Sequence, residues 1–225
     1  TSSYNTVLGY GALSTEVTRG TAVAIGTEAL GLQTHGSDGA NSENTGVGYR
    51  AGYNNVTGTA NTYLGFAAGN GATGGSNSNN VGIGKDALLA VTDGGNNVAI
   101  GALAGDSVTG SANNVIIGYQ AMATATTASD NNVAIGYQAM NGGHTTADVD
   151  GCVAVGRLAG GAGTLTADAA GFVAVGREAL EALTSGIGNT AVGYAALEVC
   201  TDSDFNTAVG FQALTAMTGT AGTVG

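Results

Sequence analysis

Few residues in this chain are of types that do chemistry, and their spacing argues against most reactions. Two histidines, His35 and His144, sit near Asp38 and Asp148, the pairing a metal site would use. A metal centre needs ligands that converge at defined distances, and these pairs are many repeats apart, so we expect solvated loop residues and no metal. The acidic stretches match neither the Asp-x-Asp-x-Asp-Gly calcium loop nor the Gly-Gly-x-Gly-x-Asp repeat. Cys152 and Cys200 are the only cysteines. Their places in the repeats put them about 10–15 Å apart along a stacking axis, beyond disulfide reach. Buried free thiols are expected, and the cysteine count leaves the compartment open. The chain has no nucleophile elbow, phosphate loop or His-containing catalytic motif. A polysaccharide-cleaving enzyme would need two acids converging on one groove, and the acids here are scattered through segments of differing sequence. The expectation is a protein that is not an enzyme and uses no cofactor.

What positions these residues is a tandem repeat. Its clearest copies are Asn97-Val98-Ala99-Ile100-Gly101, Asn132-Val133-Ala134-Ile135-Gly136 and Asn206-Thr207-Ala208-Val209-Gly210. With the closing glycine as position 0, twelve copies run through Gly9, Gly26, Gly48, Gly65, Gly84, Gly101, Gly118, Gly136, Gly156, Gly176, Gly193 and Gly210. The spacings are 17, 22, 17, 19, 17, 17, 18, 20, 20, 17 and 17, a base period of 17 with small insertions. Position −1 is aliphatic and position −3 is Val or Thr in all twelve, while position −2 is mostly small. That alternation predicts a short strand with one face buried, which must stack on its copies in neighbouring repeats because so short a strand cannot stand alone.

The remaining positions read one by one. Gly at 0 predicts a sharp bend or a positive φ that a Cβ would disfavour. Ala at +3 in every copy predicts a buried site with room for one methyl group, and +4 is Leu, Met or Gly. The stretch after position 0 fits either a single helical turn or a second short strand. Asn occupies −4 in nine of twelve copies, with Ala22, Cys152 and Phe172 as the exceptions. Asn in register forms a side-chain amide ladder or caps the turn into the strand, and a ladder that tolerates Phe is expected to be partly exposed or locally interrupted. Length varies between +5 and the next −4, most of all from Gly31 to Glu43, where inserts map to one edge of a coil.

One further column carries candidate recognition groups. Position +1 is aromatic at Tyr10, Tyr49, Phe66, Tyr119, Tyr137, Tyr194 and Phe211, and basic at Lys85, Arg157 and Arg177. Aromatic and Arg side chains could stack on sugar rings, but repetition along the whole chain is also what packing of coil on coil demands. Arg157 and Arg177 fall on adjacent coils and would repel if unpaired, and Glu178 is placed to relieve that.

Composition removes several functions. The chain has 225 residues, 41 Gly, no Pro and 9% charged residues, with a net charge of −11. Collagen is excluded by the lack of a Gly-X-Y period and of proline, and disorder by the 43% hydrophobic share. The acidic balance argues against nucleic acid and against adsorption to an anionic membrane, and no run of about 18 apolar residues spans a bilayer. The hydrophobic share is mostly Ala, Val, Ile and Leu, so a thin interior is expected. Thr1 opens in polar residues without the look of a signal peptide, and Thr223-Val224-Gly225 resembles the start of a further repeat; an excerpt of a longer fibre protein is the expectation.

The Asn-(Val/Thr)-Ala-(Ile/Val)-Gly core resembles the head repeats of trimeric autotransporter adhesins of the YadA type. The longer Asn189-Thr190-Ala191-Val192-Gly193-Tyr194-Ala195-Ala196-Leu197 is similar to repeats of phage tail fibres. The resemblance covers essentially the whole chain and implies three parallel chains side by side, each a narrow β-roll, with small residues where chains meet. Its period of 17 is longer than the adhesin head repeat.

These readings combine into an all-β expectation: one repeat domain over residues 1–225, a parallel β-solenoid (β-roll) of about twelve 17–22-residue coils, forming a side-by-side homotrimer. Twelve coils would make a rod of roughly 58 Å. The expected role is a structural and adhesive segment of an extracellular fibre, on a virion tail or bacterial surface, whose partners are its own copies and a cell-surface glycan or protein receptor. The alternative is a filament subunit assembled end to end without receptor binding. Ice binding would require regular outward Thr, whereas Thr alternating with Val at −3 suggests an inward position.

Overall fold

The computed structural model describes residues 4–15, 20–34, 41–125, 129–142, 149–161, 164–166 and 169–217. Contacts divide the chain into two compact units, Thr1–Gly110 and Ser111–Gly225. Both are parallel β-solenoids with one three-residue strand per coil, and no α-helix occurs among the described residues. The first unit holds β1 (Thr6–Leu8), β2 (Val23–Ile25), β3 (Thr45–Val47), β4 (Thr62–Leu64), β5 (Val81–Ile83) and β6 (Val98–Ile100). The second holds β7 (Val115–Ile117), β8 (Val133–Ile135), β9 (Val153–Val155), β10 (Val173–Val175), β11 (Thr190–Val192) and β12 (Thr207–Val209). Within each unit neighbouring strands pair in parallel and in strict register, −3 on −3 and −1 on −1, as in Val23↔Thr45 and Ile25↔Val47 or Val173↔Thr190 and Val175↔Val192.

Hydrogen bonding between coils does not stop at the strand ends. The N–H of Gly26 donates to the Leu8 carbonyl at 2.7 Å, that of Glu28 to Tyr10 at 2.8 Å, and that of Leu13 to Ala29 at 2.9 Å. Backbone groups beyond the strand therefore find partners in the adjacent coil, which meets the requirement that buried peptide groups be paired. The stretch after position 0 is neither a helical turn nor a second strand. It is a run of tight turns in which alternate residues adopt left-handed φ: Glu28 at 57° and Leu30 at 49°, Gln138 at 51° and Met140 at 52°.

Two repeat signals now have physical causes. Gly at position 0 has φ between 129° and 142° in all twelve copies. A Cβ there would also strike the next coil, 2.5 Å from the Gly84 carbonyl oxygen if added at Gly65. Position +4 is left-handed whether it is Leu, Met or Gly, and what selects glycine is the filling of the interior. Tyr63 replaces the usual small residue at −2 and is fully buried. Gly52 and Gly69 at +4, with Gly82 at −2, make room for it; a Cβ at Gly52 or Gly82 would stand 3.0 Å from the Tyr63 ring, whereas one at Gly46 would meet Leu30. Phe172 is accommodated similarly, since a Cβ at Gly160 would lie 2.7 Å from its ring.

Eight of the nine Asn of the column, Asn44, Asn61, Asn80, Asn97, Asn114, Asn132, Asn189 and Asn206, lie in the interior, and Asn5 in the first coil is half-exposed. Asn61 shows its bonding. Its Oδ1 accepts the Asn80 N–H at 2.9 Å, and its Nδ2 donates to the Asn77 carbonyl at 2.8 Å. The same pair of bonds recurs at Asn132, to the Cys152 N–H at 2.9 Å and the Val149 carbonyl at 2.7 Å. Beyond Asn5 the ladder is thus enclosed and locally interrupted. At Cys152 the thiol takes the place of the amide, with Sγ 3.6 Å from the Ala169 carbonyl, the equivalent acceptor of the next coil.

Two expectations are corrected by the strands. Side chains of a strand alternate between faces, and here the middle residue, −2, is the buried one while −3 and −1 are half-exposed or exposed. Ala24, Ala99, Ala134, Ala154, Ala174 and Ala191 at −2 and Ala29, Ala87, Ala139 and Ala179 at +3 are wholly enclosed within their coils. The small residues therefore line the inside of each chain, not a surface where chains meet. The Val and Thr of −3 point outward; Thr stands there only at Thr6, Thr45, Thr62, Thr190 and Thr207, too irregular for the array that ice binding requires.

Candidate functional site: the outward sheet face and its two edges

Because −2 faces in, each unit turns an apolar strip outward. In the second unit it consists of Val115, Val133, Val153, Val173, Thr190 and Thr207 beside Ile117, Ile135, Val155, Val175, Val192 and Val209. The first unit has the same pattern with larger −1 residues, and Leu64 remains 46% exposed there. Sequence reasoning did not assign −3 and −1 to such a face, though strict apolar identity at two alternating positions was its signal.

Position +1 forms one edge of this strip. In the second unit Tyr119, Tyr137, Arg157, Arg177, Tyr194 and Phe211 follow one another on six successive coils. Tyr119 stacks on Tyr137 with centroids 5.6 Å apart, and Tyr194 on Phe211 at 5.2 Å. The guanidinium of Arg157 lies 6.0 Å from the Tyr137 centroid and that of Arg177 5.4 Å from Tyr194, within cation–π range. In the first unit Tyr49 stacks on Phe66 at 5.0 Å with Arg50 over Tyr49, while Tyr10 stands apart across Thr27. Ring faces within each pair are turned to one another, so the column presents mainly ring edges and guanidinium groups to solvent.

Arg157 and Arg177 share a single carboxylate. Glu178 Oε1 accepts from Arg157 at 2.6 Å and from Arg177 at 2.9 Å, with the guanidinium side chains 47% and 56% exposed and Glu178 12%. The hydrogen bond from Arg177 holds the Glu178 carboxyl below the usual carboxylate range, against the opposing pull of desolvation and with help from Arg157. Behind it stand Glu181 and Glu198, and ligand oxygens of these three glutamates lie within 4.8 Å of one another. Desolvation, then the charges of Glu178 and Glu198, push Glu181 upward. This trio is the one group of converging acids among the described residues, and its central member is already bound by two guanidiniums. The other described cations are also paired at this edge, Arg50 with Glu28 and Lys85 with Asp86.

The opposite edge, at −6, is acidic in the second unit. Asp130 Oδ1 accepts the Ala112 N–H at 2.7 Å, Asp150 Oδ1 accepts the Asp130 N–H at 2.6 Å, and Asp204 Oδ1 accepts the Ile187 N–H at 2.8 Å. One oxygen of each thus staples a coil to its predecessor. Recurrence of Asp at a fixed offset was the sequence signal for it.

Cys152 and Cys200 are buried free thiols, as the repeat spacing led us to expect, and burial pushes the Cys152 thiol up to about 11. His35, His144, Asp38 and Asp148 lie outside the described residues. Among the described residues no helix is long and apolar enough to cross a membrane.

The class of protein defined by these features is a parallel β-solenoid whose conspicuous surface in each unit is an apolar sheet face. The chain matches no family model, no curated protein and no solved structure.

Proposed function

We infer that this chain is a structural and adhesive segment of an extracellular fibre, carried on a virion tail or a bacterial surface, in which three copies run side by side. The observation that carries the reading is the outward apolar sheet face: a column of Val or Thr beside a column of Ile, Val or Leu, repeated in register on every coil. Apolar surface of this extent marks an interaction site in a soluble protein, and a regular stack presents it in line for an equally regular partner. The role is mechanical, not catalytic. Enclosed Asn ladders and inter-coil backbone bonds make each coil stiff, and repetition of the chain around an axis raises avidity for a cell-surface glycan or protein receptor.

Light scattering of the folded protein tests the reading directly. Three chains per particle support it, whereas a monomer at all concentrations refutes the side-by-side arrangement. Growth without limit as concentration rises would point to the end-to-end filament instead.

A further inference from the structure

The aromatic pairs of the +1 column differ in one chemical respect. Tyr49 stacks on Phe66 and Tyr194 on Phe211, whereas Tyr119 stacks on Tyr137 and so sets two phenols on successive coils. Their planes are 19° from parallel, and the two residues are 45% and 46% exposed. The coils that carry them are held in register. The N–H of Gly136 donates to the Ile117 carbonyl at 2.7 Å, and that of Gln138 to the Tyr119 carbonyl at 2.9 Å. Beside the rings, Gln138 Nε2 donates to Gln120 Oε1 at 2.8 Å. Among the described residues no other stacked pair joins two tyrosines. Tyr10 is exposed but meets Thr27 at the equivalent position of the next coil, and Tyr63 is buried. Tyr53 lies under Arg50, whose guanidinium is 5.0 Å from its centroid.

We propose that Tyr119 and Tyr137 form an oxidative cross-linking site, at which a one-electron oxidant joins the two phenols into a dityrosine between adjacent coils of one chain. The proposal stands apart from the side-by-side reading above. Each phenol gives one electron to the oxidant and its hydroxyl proton to water, leaving a phenoxyl radical with spin density on the ring carbons ortho to oxygen. One ortho carbon of each ring then forms the new C–C bond, and the hydrogens displaced from those carbons return to the oxygens. In sum two C–H bonds break, one C–C bond forms, and two electrons and two protons leave. With a haem peroxidase as oxidant, hydrogen peroxide takes up those electrons and protons and becomes two waters. Exposed side chains change rotamer within picoseconds to nanoseconds, so ortho carbons of stacked rings meet while the radicals last. Holding both phenols on one frame makes the coupling effectively unimolecular, which favours the neighbouring ring over another chain. The bond ties the coil of β7 to that of β8, a covalent staple added after folding.

The test treats dilute folded protein with a haem peroxidase and hydrogen peroxide and follows dityrosine fluorescence. Cleavage at aspartate, with Asp130 lying between the two residues, then identifies the joined peptides by a mass two hydrogens below their sum. The expected result is a cross-link within one chain whose yield per chain does not change on dilution. That yield should fall about tenfold or more in Tyr119→Phe and in Tyr137→Phe, since each keeps the stacked ring and lacks one phenol. Phe211→Tyr should add a second cross-link, to Tyr194, because those rings are 5.2 Å apart with planes 17° from parallel. Dityrosine that persists undiminished in either Phe variant, or that joins separate chains on denaturing electrophoresis, overturns the proposal. So does a wild-type chain that forms none while a tyrosine-containing peptide in the same mixture couples, or a Phe211→Tyr chain that gains no second cross-link.

Discussion

Replacing Asn61 by Ala probes the enclosed amide ladder at a place where its bonding is fully defined. Asn61 is wholly buried. Truncation leaves the Asn80 N–H, now 2.9 Å from Oδ1, and the Asn77 carbonyl, now 2.8 Å from Nδ2, without partners inside the coil. A buried donor or acceptor left unsatisfied costs about 1–3 kcal/mol, so the two together place the loss at roughly 2–6 kcal/mol. That is a large share of the roughly 5–15 kcal/mol by which a domain is stable. In a stack of repeats the damage should fall first on the coils beside the lesion. Guanidinium unfolding followed by circular dichroism, with the Asn61→Asp variant alongside, reads the effect. Asp supplies the acceptor but no donor and buries a charge, so it should also be destabilising. A loss under about 1 kcal/mol for Asn61→Ala would refute the reasoning, because it would mean that water or a shifted backbone satisfies both groups.

Three further outcomes follow from the same geometry. Gly65→Ala should destabilise the first unit by at least about 3 kcal/mol, since φ there is 142° and the new Cβ would stand 2.5 Å from the Gly84 carbonyl oxygen; thermal melting checks it. Gly69→Leu should collapse the packing around Tyr63, while the double variant Gly69→Leu with Tyr63→Ala, which gives this repeat the Ala and Leu that Ala24 and Leu30 supply in theirs, should recover at least half of the lost stability in the same assay. Acid titration of the melting temperature should show two opposed effects. The folded pKa of Glu181 is raised, so stability should increase as pH falls from neutrality through that value, and Glu181→Gln should abolish the increase. The folded pKa of Glu178 is lowered, so its contribution is complete above the ordinary carboxylate value and is lost as pH falls through its folded value; Glu178→Gln should remove that component.

Much of this molecule is legible in the order of residues because a repeat states each structural requirement twelve times over. The period, the strand at −3 to −1, the glycine with positive φ and the methyl-sized site at +3 each follow from one residue type recurring at one offset. Glu178 as the partner of Arg157 and Arg177 was also readable, because adjacent coils bring equal offsets together.

What the sequence could not determine was direction. Alternation says that −3 and −1 share a face and −2 another, yet Ala at −2 suits either a crowded interior or a close contact between chains. Only the closed coil decides, because Leu or Met at +4 fills much of its interior and leaves −2 the space of a methyl group in most coils. The stretch after position 0 was undecided for a related reason: Glu28, Arg50 and Gln138 are ordinary residues, and their left-handed φ goes with an N–H donated to the preceding coil, not with a local preference. The alternation of Leu and Gly at +4 depends on which neighbouring coil places a Tyr63 or Phe172 in the interior. Composition and period are properties of the chain read along its length; the inside and the outside of a coil exist only once coils have stacked.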